Sequence, residues 1–176
     1  MTNFSVISII AKDAPGLAER YSSLTSQHKC NIEDSRMAVM GQEFTASMLI
    51  SGSESDIANC KADFEQLAKD SGYQLICRDT EENKGAVSSL PYAIQTLSLD
   101  APGIIRSVTD FLKQRDINIS NFVANSYKAP HTGAPMLEIQ LTANIPSVIQ
   151  ISQLREEFAD FCDELHIDAA FEPIKQ

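Results

Sequence analysis

Two short stretches of the 176-residue chain hold side chains that could do chemistry together. Residues 13–16 read Asp-Ala-Pro-Gly, and Asn31-Ile32 follow eighteen residues after the aspartate. The same four residues recur as Asp100, Ala101, Pro102 and Gly103, with Asn118-Ile119 at the same distance. A Pro-Gly turn that opens a helix leaves backbone N–H groups free at the positive end of the helix dipole, where a carboxylate binds well. Gly16 lets a ligand approach closely because no Cβ intervenes. Asp13 can accept hydrogen bonds from an ammonium group, and the Asn31 amide both donates and accepts. Acting together, these residues would recognise a zwitterion such as an amino acid. Their structural uses are equally plain. Asp13 can cap the helix, Pro15 suits its first turn, and Asn31 can bond backbone.

A shift of 87 residues lays one half on the other without a gap. It places Asp13 on Asp100, Leu17 on Ile104, Leu24 on Phe111, Asn31 on Asn118 and Ile32 on Ile119. Four identities in a row, with a matched pair beyond them, mark an internal duplication of a unit of about 85 residues, a reasonable size for a small domain. The expected organisation is a first domain over 1–82, a short polar linker over 83–90 and a second domain over 91–176.

Each half must build the elements that position its turn. The run FSVISIIAK is a short apolar strand, and Leu17, Tyr21, Leu24 and His28 recur at helical spacing behind Pro15. Two strands meeting near Gly41 form a hairpin. A helix follows with Ser53 and Asp56 at capping-box spacing, a buried stripe of Ile57, Cys60, Phe64 and Leu67, and a stop at Gly72. YQLICRDT closes the unit as a strand. The second half repeats the order, with Val148, Ile151, Leu154, Phe158 and Phe161 as the stripe of its last helix and KAPHTGAP as a longer hairpin loop. Two successive βαββαβ units predict an α+β chain of two ferredoxin-like domains, each an antiparallel sheet with helices on one face.

Composition narrows the function. Fourteen basic against 24 acidic residues give a net charge of −10, shared evenly at −5 per half. Nucleic-acid binding draws much of its affinity from Lys and Arg on phosphates, so direct binding is not expected. No apolar run approaches the roughly 20 residues of a membrane span, and no signal peptide precedes Lys12, which predicts a cytoplasmic protein. Cys30, Cys60, Cys77 and Cys162 are scattered, without metal-ligand spacing, and read as reduced thiols. No metal or cofactor is expected. An acylphosphatase would need an arginine in a glycine-rich loop after the first strand, where this chain has KDAPG. An RNA-recognition module would need aromatics and basic residues on its third strand, and QEFTASMLI and MLEIQLTA hold one aromatic and no Lys or Arg. No nucleophile elbow appears, and no enzyme activity is expected.

The DAPG turn, the amphipathic helix and the NI pair resemble the ACT domain, in two copies covering nearly the whole chain. That resemblance implies a regulatory module that binds small ligands, most often amino acids, near the turn. By position it points to Asp13, Ala14, Pro15, Gly16, Leu17, Asn31 and Ile32, and to Asp100, Ala101, Pro102, Gly103, Ile104, Asn118 and Ile119. Length and tandem architecture further resemble the glycine cleavage system transcriptional repressor family of bacteria. This implies a repressor accessory that binds a LysR-type activator, with glycine as effector. The alternative is an amino-acid-sensing subunit that regulates a metabolic enzyme in trans. ACT modules often pair, so a homodimer is also implied.

Overall fold

A computed structural model describes residues 2–82 and 89–174. The chain divides into two compact units, Met1–Lys84 and Gly85–Gln176. Of the stretch 83–90 read as a linker, residues 83–88 lie outside the described residues, and Ser89 and Leu90 already belong to a strand.

Unit 1 runs β1 (Asn3–Lys12), α1 (Leu17–Gln27), β2 (Asn31–Met40), β3 (Glu43–Gly52), α2 (Glu54–Ser71) and β4 (Gln74–Thr80). Its sheet has the order β2-β3-β1-β4, antiparallel throughout. Alternation decides which face of this sheet is dry. Ile7, Ile9 and Ala11 of β1 and Ala46, Met48 and Ile50 of β3 are buried, whereas Ile10 and Ile76 on the opposite face are exposed. The dry face packs against Leu17 and Tyr21 of α1 and Ile57, Cys60 and Phe64 of α2 in one core.

Unit 2 repeats the plan: β5 (Ser89–Leu99), α3 (Ile104–Lys113), β6 (Asn118–Lys128), β7 (Pro135–Pro146), α4 (Ile151–Glu164) and β8 (Asp168–Pro173). Sheet order is β6-β7-β5-β8. Both units break register at the same place, between Ile32 and Asp34 and between Ile119 and Asn121, 87 residues apart. Beyond the longer β6–β7 loop the offset grows to 93 in β3 and β7, where Ala46 and Ile139 lie opposite Ile9 and Thr96, and to 94 in β4 and β8, where Leu75 and Ala169 do. The core of unit 2 is richer in aromatic rings, with Phe158 packed against Phe111 at 5.2 Å and Phe171 at 5.8 Å between centroids.

Two local expectations need correction. Val148 does not join the stripe of α4, because the helix starts at Ile151 and Val148 is 91% exposed ahead of it. Ser53 does accept from the Asp56 amide at 3.2 Å, but Asp56 does not close a full capping box. Its short carboxylate accepts from the Ser53 hydroxyl at 2.6 Å instead of reaching the backbone.

Candidate functional site

The two DAPG turns share one backbone geometry. Gly16 (φ 91°) and Gly103 (φ 98°) occupy the left-handed region and are themselves the N-caps of α1 and α3, with no side-chain cap in either case. The expectation that Asp13 caps the helix and Pro15 enters its first turn is thereby corrected. The cap position falls on Gly16, three residues after Asp13, and a glycine has no side-chain oxygen to offer the first-turn amides. Helical bonding starts at the glycine, whose carbonyl accepts from Arg20 at 2.9 Å in α1 and from Ser107 at 2.8 Å in α3. Residues 13–16 and 100–103 are exposed, whereas Leu17 is buried and anchors the helix start. First-turn amides without a side-chain cap can take a carboxylate.

Each turn is latched to the neighbouring hairpin. The Asp13 amide donates to Gln42 at 3.0 Å, and the Asp100 amide to Pro135 at 2.9 Å. Their carboxylates differ. Asp100 accepts from the Ser126 hydroxyl, whereas the residue at that position in unit 1 is Val39, which has no hydroxyl. The Asp13 carboxylate has no hydrogen-bond partner among the described residues, and Lys12 flanks it where unit 2 has Leu99. The first turns differ as well, with Glu19 in α1 and Arg106 in α3 at matching positions.

Register separates the asparagines from the turns of their own units. Asn31 lies opposite Ser51, which pairs with Phe4 at the start of β1, whereas the turn follows Lys12 at the other end. Eight residues of strand separate them, about 27 Å at 3.4 Å per residue. Asn31 and Ile32 thus cannot join Asp13 on one small ligand within unit 1, and Asn118 and Ile119 stand in the same relation to Asp100. Asn31 instead donates to Glu33 at 3.0 Å. The Ser51 hydroxyl and the Asn31 amide hold the Glu33 carboxyl below the usual range. Asn118 and Ile119 line a shallow depression of about 410 Å³ with Thr109, Lys113 and Asp116. Only pairing geometry reveals this separation, because sequence spacing is the same whichever way a hairpin folds back.

Other chemistry-bearing side chains are tied into the fold. His28 and Asp63 are 2.8 Å apart between the helices of unit 1. At the matching positions of unit 2, Arg115 reaches Glu157 through Nε at 3.0 Å and Nη2 at 2.8 Å. Burial pushes the Cys60 thiol up to about 12 and the Cys162 thiol up to about 11, away from nucleophilic use.

The ACT domain family model matches residues 3–77. The glycine cleavage system transcriptional repressor of Escherichia coli (strain K12) is 27% identical over 164 residues, covering 93% of this chain and 86% of the relative. A crystal structure provisionally assigned as a glycine cleavage system transcriptional repressor is 28% identical, with a TM-score of 0.72 and coverage of 100% of this chain and 99% of the other. A protein of unknown function from Galdieria sulphuraria has the same fold at a TM-score of 0.82 and 21% identity, covering 99% of this chain and 100% of its own. The ACT model thus matches the first unit, the second repeats its strand order, and along nearly its whole length the chain is similar to the bacterial glycine cleavage system transcriptional repressors.

Proposed function

We propose that this protein is an amino-acid-responsive repressor accessory. It binds a LysR-type activator of the glycine cleavage operon, and glycine is its effector. The observation that carries this reading is the resemblance to a repressor of that system along 93% of the chain, through both units. The uncapped glycine-initiated turns supply carboxylate-binding amides. An even acidic balance suits action through another protein better than direct contact with DNA.

Thermal melting against the twenty amino acids tests the effector. A ligand that binds only the folded state adds RT ln(1 + [L]/Kd), about 2.7 kcal/mol at a hundredfold excess over Kd. Glycine is expected to raise the melting temperature and to release the purified activator in a co-sedimentation assay. Retardation of promoter DNA by this protein alone at physiological salt would sink the proposal. An amino-acid shift without association with the activator would point to regulation of a metabolic enzyme.

A further inference from the structure

The two units differ where their helices face each other. In unit 2, Phe111 of α3 and Phe161 of α4 meet with ring centroids 4.9 Å apart. The 87- and 94-residue offsets put Leu24 and Leu67 at those positions in unit 1. Both leucines are half-buried at the margin of the unit 1 core. Between α1 and α2 they lie along a groove of about 490 Å³, whose walls include Glu19 and Arg20 on one side and Asp63 and Asp70 on the other. From Glu19 to Gln27 the groove spans eight residues of α1, about 12 Å or two helical turns.

From this geometry we infer that the α1–α2 groove of unit 1 is a docking site for a cationic amphipathic helix of a protein partner. The inference rests on the reading that the protein acts through such a partner. Leu24 and Leu67, one from each helix, give the floor an apolar pair on which leucine-type anchors one helical turn apart can seat. With Asp63 engaged by His28, the carboxylates of Glu19 and Asp70 still outnumber Arg20 and complement lysines and arginines beside those anchors. Charge also argues against a second copy as the occupant, since two such faces would bring like-charged rims together in a chain of net charge −10. Both units bridge their helices, through His28 and Asp63 or Arg115 and Glu157, but unit 2 closes the corresponding face with its own aromatic rings, so the groove is not a requirement of the fold.

The test titrates the full chain into a fluorescent 18-residue synthetic helix bearing leucine at the i, i+3, i+4, i+7 repeat and lysine on the flanks, in 150 mM NaCl. Saturable binding is expected, with protection of α1 and α2 amides from hydrogen exchange. The double variant L24F/L67F, which gives the groove the side chains of unit 2 and leaves the charge unchanged, should bind at least tenfold more weakly. The exposed double variant E19K/D70K should do the same, and it decides the matter if L24F/L67F does not fold. A peptide with glutamate replacing lysine should not bind.

Absence of saturable binding to the wild-type chain overturns the inference. So does equal affinity for folded L24F/L67F, or protection confined to another surface. The glycine-dependent melt is a separate reading, because it reports on the turns and does not require the groove.

Discussion

Asp13 and Asp100 occupy the same place in a repeated turn, yet only Asp100 is engaged by a hydroxyl, that of Ser126. If an amino acid ammonium is bound at a turn, Asp13 is the carboxylate free to take it. Asp13→Ala should therefore abolish the glycine-induced rise in melting temperature, whereas Asp100→Ala should leave most of it; the reverse pattern would assign the site to unit 2. Tyr21 tests residue-scale packing. Its hydroxyl is buried with no hydrogen-bond partner among the described residues, and desolvation, with Tyr73 nearby, pushes the phenol up to about 12. An unsatisfied buried polar group costs about 1–3 kcal/mol, so Tyr21→Phe should match or exceed wild-type stability in urea denaturation. Unit 2 has Val108 at this position, buried without a polar atom.

The turn-helix junction is the element that the duplication preserves, and its requirement is a backbone one. A Cβ at Gly16 or Gly103 would meet nothing within 4 Å, so space is not the reason for glycine. The reason is φ of 91° and 98°, which an L-residue adopts at a cost of about 1–2 kcal/mol. Gly16→Ala and Gly103→Ala should each lower stability by about that amount, measured by urea unfolding, while the far-ultraviolet spectrum stays native. This junction was only partly legible in the sequence. The glycine at a helix start was evident, but its place as the cap itself, which removes Asp13 from capping, depends on how the chain leaves β1 to pack Leu17 into the core. Likewise, helical spacing placed Val148 on the stripe of α4, but the helix starts after it.

Across the whole molecule, acidity sets the behaviour at low pH. Glu33 is held below its ordinary 4.5 by Ser51 and Asn31, Glu157 below 4.5 by Arg115 and Gln153, and Asp79 below its ordinary 3.8 by Lys61. A carboxyl whose folded pKa is depressed stabilises the fold above its unfolded pKa, and that stability is lost as pH falls through the folded value. Melting temperature should therefore be flat with respect to these three groups from neutrality down to about pH 5 and fall below about 4.5. Because Glu33 and Asp79 are exposed and Glu157 is only half-buried, the Glu33→Gln and Glu157→Gln variants should change this limb only modestly.

The duplication, the βαββαβ order and the glycine turns are legible along the chain, because they follow from periodicity and local backbone preference, which are properties of neighbouring residues. The tertiary structure decided which of those residues meet. Antiparallel pairing carried Asn31 to the far end of the sheet from Asp13, and the β6–β7 hairpin brought Ser126 to Asp100, whereas β2 of unit 1 has Val39, without a hydroxyl, at the matching position. Helix packing likewise turned matched stripes into an aromatic contact in one unit and an open groove in the other. Such contacts depend on strand register and on side-chain volume across elements, and spacing along the chain encodes neither.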